Sequence, residues 1–130
     1  MEEVHILATE KTPDIILNPK GVIKIKGRAI DESRTNYPDQ ILGWIDKYVA
    51  NPPETTEVII ALEYLNSFNT LILSTVLKKI AEVKQKSKRL FIKWYVETDD
   101  EDLRDRGESI SSTFNLPIEF IMTDHIKSLY

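Results

Sequence analysis

Two stretches of this chain carry the same apolar stripe, and a strand-like run lies between them. Ile41, Trp44, Ile45, Tyr48 and Val49 recur at helical spacing, as do Leu73, Val76, Leu77, Ile80 and Ala81. Glu57 to Leu65 between them is β-branched and almost wholly apolar at first, which reads as a central strand covered on both faces. Strands separated by amphipathic helices imply right-handed parallel crossovers. That single constraint points to an α/β fold.

The remaining elements fit around it. Val4 to Ala8 is a short apolar stretch able to open the sheet, and Asp14 to Leu17 reads as a strand. Asn18-Pro19-Lys20-Gly21 is a turn, and Val22 to Lys26 then alternates with period two, which makes a hairpin. Asp31 to Asn36 is a polar loop. Pro38 suits the first turn of a helix over 38–50, which Asn51-Pro52-Pro53 stops. Asn66 and Ser67 are N-capping residues for a helix over 67–86, whose end is rich in lysine. Arg89 to Val96 reads as a second central strand, with Leu90, Ile92, Trp94 and Val96 on one face. A third helix is expected near 100–114 and a last strand near Ile118 to Met122, before a polar tail. The expectation is a small mixed sheet with three helices, in the order β-β-β-α-β-α-β-α-β.

Composition bounds the function. The 130 residues suit one domain, 1–130, and 42% apolar with 29% charged residues is ordinary for a globular chain. A net charge of −4 lacks the basic footprint that nucleic acid requires. With no cysteine, thiol catalysis and thiolate metal sites are excluded. No apolar run approaches a membrane span, and Met1-Glu2-Glu3 places acid where a secretory leader needs base, so a cytoplasmic protein is expected.

Enzymatic motifs are missing. The glycines form no phosphate-cradling loop, His5 and His125 lie at opposite ends of the sequence, and no serine sits in a nucleophile elbow. No catalytic residue, cofactor or metal ligand is therefore assigned. One alternative class is a small metal- or ligand-binding enzyme using Glu63 and the carboxylates of 97–102, since acid after a central strand suits Mg²⁺ or a cationic partner. The same acidic run also suits an ordinary helix start, stabilised by its dipole.

Ser67 stands out. It follows a central strand and begins an amphipathic helix, so its hydroxyl lies among backbone N–H groups that lack helical partners. For an arbitrary serine that position means a plain helix cap, and the same geometry also suits a phosphoryl group. Phe68 beside it suggests a surface made for contact, with folding back into the core the equal alternative.

Several stretches, taken in order, carry a likeness to a known family. They are Thr9-Glu10-Lys11-Thr12-Pro13, Gly27-Arg28, Ile41 to Asn51 with Trp44 and Tyr48, Leu62-Glu63-Tyr64 and Asn66-Ser67. Trp94-Tyr95, Asp99-Asp100-Glu101-Asp102 and Leu116-Pro117-Ile118-Glu119-Phe120 follow. Together they resemble the SiaC family of bacterial regulatory phosphoproteins. The resemblance implies a fold similar to the STAS domains of anti-anti-sigma factors, and no catalysis. It implies a partner switch in which a cognate kinase phosphorylates one hydroxyl residue and a phosphatase restores it. In that switch the unmodified form binds and activates a diguanylate cyclase, raising cyclic di-GMP and favouring biofilm. The family's hydroxyl residue maps onto Ser67, with Thr70 the next candidate, because Ser67-Phe68-Asn69-Thr70 replaces the family's usual threonine and serine-rich run. Glu63, Tyr64, Asn66, Phe68 and Asn69 are the expected partner-binding residues. An anti-anti-sigma-type antagonist in another partner-switching pathway is the nearest alternative.

Overall fold

The computed structural model describes residues 1–32 and 37–130. Residues 33–36 of the expected polar loop lie outside the described residues. Six strands form one sheet in the order β1-β2-β3-β4-β5-β6. They are β1 (Val4–Ile6), β2 (Asp14–Asn18), β3 (Val22–Ala29), β4 (Thr55–Leu65), β5 (Arg89–Glu97) and β6 (Ile118–Thr123). The helices are α1 (Pro38–Ala50), α2 (Ser67–Ile80) and α3 (Glu101–Phe114). The first three strands pair antiparallel and the last four parallel, β3 belonging to both sets. The element order and the hairpin match the sequence reading. The helix expected over 67–86 ends at Ile80 and continues as a 3₁₀ turn over Ala81–Lys86, closed by Ser87 at φ 61°.

Coverage of the sheet differs from expectation. Strands β3 to β6 lie side by side in chain order, so each right-handed crossover steps the same way and sets its helix on the same face. The helices accordingly pack against one another, α1 on α2 and α2 on α3, and bury one continuous core. Ile23, Ile25, Val58, Ile60, Leu62, Ile92, Trp94 and Val96 meet Ile41, Ile45, Tyr48, Leu73, Val76 and Leu77 there. Each such side chain contributes about 1.5–3 kcal/mol by leaving water. The ring of Trp44 stacks on Tyr48 at 5.0 Å.

Among the described residues no helix layer covers the other face. Glu57, Ile59, Lys93 and Tyr95 are half-buried and Phe91 is exposed, so β4 and β5 are not covered on both faces. The tail provides a small cover instead. Its expected polar character gives way to a 3₁₀ turn over Ile126–Leu129 that packs on β4 and β5 and buries Ile126 to 1% exposure, outside the helix-side core.

Candidate functional site

The site grows from the end of β4. Register slips between Gly27 and Arg28, so that Gly27 faces Leu62 while Arg28 faces Tyr64, and Glu63 is the extra residue of a β-bulge. Gly27 reaches φ 111° there, a region closed to most side chains. A bulge re-aims the side chains beyond it. Leu62 and Leu65 both enter the helix-side core, while Glu63 is turned to the open face. Its carboxylate accepts from Arg28 Nη2 at 3.1 Å and lies 3.6 Å from Lys127 Nζ on the tail. Arg28 also sits 5.1 Å above the Tyr64 ring, which is half exposed. The Tyr130 hydroxyl donates to Gly27 O at 3.4 Å, and burial followed by the Glu63 charge pushes that phenol up to about 12.

Helix α2 starts immediately after the bulge, and Asn66 alone is its cap. Extended at φ −86° and ψ 175°, Asn66 accepts through Oδ1 from the Asn69 backbone N–H at 2.9 Å and from Asn69 Nδ2 at 2.8 Å. Its own Nδ2 donates to Ile30 O at 2.9 Å. Asn69, 1% exposed, extends this network, donating to Asp31 O at 2.8 Å and accepting from the Tyr37 hydroxyl. Burial first, then the Asp31 carboxylate, pushes Tyr37 up to about 12. The start of α2 is thereby fixed to the end of β3 and the entry of α1.

Ser67 is the first helical residue, not the cap, and its side chain is exposed. Neither its hydroxyl nor the backbone N–H groups of Ser67 and Phe68 are hydrogen-bonded among the described residues. The cap satisfies the N–H of the third helical residue, Asn69, and leaves these two. Thr70 differs. Half-buried, it donates through Oγ1 to Asn66 O at 2.8 Å and accepts from Arg106 Nη1 at 3.2 Å. A kinase would have to break both bonds to use it.

A family model described as SiaC family regulatory phosphoprotein matches residues 6–123. The chain belongs to the SiaC family. An uncharacterised protein of Pseudomonas aeruginosa strain UCBPP-PA14 is 21% identical over 118 residues, 90% of this chain and 94% of that relative. The crystal structure of apo-SiaC from Pseudomonas aeruginosa matches with a TM-score of 0.80 at 21% identity, covering 92% of this chain and 98% of that one. The structure of the diguanylate cyclase SiaD in complex with its activator SiaC, from the same organism, matches with a TM-score of 0.83 at 20% identity, covering 92% and 99%. The mixed α/β architecture is thus shared with SiaC.

In this SiaC family member the residues expected to form one surface divide between two faces. Ser67 and Phe68 stand on the helix layer, with Phe68 half-buried against the core. Glu63, by alternation with Glu57 and Ile59, and Tyr64, because of the bulge, both belong to the open sheet face, and so do not surround Ser67. Asn69 is a positioning residue, since its buried amide is fully used inside the fold. Leu71, overlooked in the sequence, is 66% exposed one turn beyond Ser67 and adds apolar surface there. Arg28, Tyr37, Arg106 and Lys127 were overlooked as well. Only the position of Arg106, beside the buried stripe of Leu103, Gly107 and Ile110, hinted at a partner within the fold.

The carboxylates of the metal-enzyme alternative are only partly assembled. Glu63, Glu97, Asp99 and Asp100 line an open groove of about 430 Å³ with His125 and Lys127. Glu63 is already occupied by its two cations, Glu97 Oε2 accepts from the Ile126 N–H at 3.3 Å, and Asp100 caps α3 by accepting from the Leu103 N–H at 3.1 Å. Among the described residues no three such groups converge to hold a metal ion. No helix among them is long and apolar enough to cross a membrane.

Proposed function

We propose that the protein is a non-catalytic regulatory switch whose unmodified form binds and activates a diguanylate cyclase, and that phosphorylation of Ser67 by a cognate kinase releases the partner. A phosphatase resets it. The observation that carries this reading is the exposed, unbonded Ser67 hydroxyl at the first position of α2, beside Phe68 and Leu71 and behind a cap that Asn66 already fills. Family membership supports the phosphoprotein role, and the SiaC relative solved with SiaD supports a cyclase as partner.

The physical logic is differential. A phosphate brings about −1.5 to −2 charges at pH 7, and the helix dipole stabilises it there by about 0.3–1 kcal/mol, so the fold tolerates it. A partner covering Phe68 and Leu71 would have to desolvate that charge. Losing about 3 kcal/mol lowers affinity more than a hundredfold.

The test uses the full chain with a purified diguanylate cyclase and a candidate kinase from the same genome. Unmodified protein and Ser67→Ala should raise cyclic di-GMP output, while Ser67→Asp should fold normally and bind at least about a hundredfold more weakly. Intact mass and peptide mapping should place the phosphate on Ser67. Phosphate mapped to Thr70, or Ser67→Asp binding as tightly as the parent, would refute the acceptor assignment. Capture of an anti-sigma factor with no effect on the cyclase would instead favour the antagonist pathway.

A further inference from the structure

The groove between α2 and α3 contains an arginine whose partner in the unmodified protein is a weak one. Arg106 is half-buried, and its Nη1 donates to the neutral Thr70 hydroxyl at 3.2 Å. Asp102 and Asp105 line the same groove of about 400 Å³, yet neither forms an ion pair with Arg106. Arg28, by contrast, is committed to Glu63 and to the Tyr64 ring. A guanidinium carries five N–H donors in a fork suited to phosphate, so most of the capacity of Arg106 remains open.

Ser67 lies three residues before Thr70 on the same helix. Side chains at that spacing are neighbours, with Cβ atoms about 5–6 Å apart. The first turn of α2 has no acidic residue to compete for the cation. Thr70 stays in place without Arg106, because its hydroxyl is anchored by its own bond to Asn66 O.

Resting on the reading of Ser67 as the acceptor, we infer that Arg106 receives the Ser67 phosphate and clamps it across the α2–α3 groove. The guanidinium exchanges a neutral hydroxyl for a dianion and gains charge-assisted hydrogen bonds. Asp102 and Asp105 oppose the phosphate, which makes the net shift modest. The modified serine then becomes part of the folded surface and ties the start of α2 to α3. Arg106 acts as a positioning residue for the modified state and is idle in the unmodified one.

The experiment installs phosphoserine at position 67 of the full chain during translation, so no kinase is needed. A ³¹P NMR titration then gives the second phosphate pKa in the parent, Arg106→Gln and Arg106→Lys. Arg106→Gln should raise that pKa by about half a unit or more, toward the free value near 6, with Arg106→Lys between. In the ¹⁵N-labelled parent, which needs no substitution, the Arg106 Nε–H resonance should shift on phosphorylation and titrate with the phosphate. Equal phosphate pKa values in the parent and Arg106→Gln, or an unmoved Arg106 resonance, would overturn the clamp. Failure of the acceptor reading is a separate result, because kinase mapping would then place phosphate elsewhere while this titration stands on its own.

Discussion

Replacing Asn69 by alanine tests whether the start of α2 is held by the buried amide network. Asn69 Nδ2 donates at 2.8 Å to Asp31 O and at 2.8 Å to Asn66 Oδ1, and its Oδ1 accepts from the Tyr37 hydroxyl. Three such bonds at about 1 kcal/mol each are lost, and the buried phenol is left without its acceptor. Alanine returns about 0.6 kcal/mol through its higher helix propensity. The balance is a loss of about 2–3 kcal/mol. For 130 residues the unfolding entropy near the midpoint is about 0.27 kcal/mol/K, so Tm should fall by about 7–11 °C. Urea titration followed by circular dichroism measures the loss directly. Tyr37→Phe alone should cost about 1 kcal/mol, and the double variant should cost less than the two single losses together, because both remove the same bond. A loss under about 0.5 kcal/mol for Asn69→Ala, or strict additivity with Tyr37→Phe, would refute the network as the anchor of the site.

Alkaline stability should carry the signature of Tyr37. Its phenol stays neutral in the folded protein to about 12 against an ordinary 10.0, so above pH 10 the unfolded chain loses that proton first and stability falls until about 12. Tyr37→Phe should flatten part of that decline in urea midpoints measured across this window, with Tyr130 and Tyr48, both raised by burial, contributing in the same direction. Gly107→Ala should destabilise by about 1–2 kcal/mol in the same assay, because a new Cβ would lie 2.6 Å from Phe120 Cε1 and 3.3 Å from Trp94 Cδ2. The gain of about 1 kcal/mol from helix propensity is too small to offset that overlap, and a stabilised variant would show the α3–sheet contact to be looser than drawn.

Much of the fold was legible because its signals are local. The stripe over Ile41 to Val49, the alternation in Val22 to Lys26, Pro38 at the start of α1 and acid at the start of α3 each depend on neighbours a few residues away. Ser67 was legible for the same reason, since a polar residue between a strand and an amphipathic helix lies at the helix start in any topology. The choice of cap was not. Asn66 takes it because its amide also reaches Ile30 O, just past the end of β3 and 36 residues earlier.

The face on which each residue stands required the tertiary structure. Glu57 to Leu65 reads as buried throughout, yet strands added in chain order place every helix on one side and leave the other open. Tyr64 and Glu63 read as neighbours of Ser67, but alternation with Glu57 and Ile59 already sets Glu63 on the open face, and the extra residue at the bulge sends Tyr64 there too, since side-chain direction in a strand reverses with each residue. Arg106 meets Thr70 across 36 positions because α2 and α3 are adjacent helices of one layer. Sequence periodicity determined which residues form each element. Chain topology and one register slip decided which of them meet, because those contacts join residues that only the folded sheet brings together.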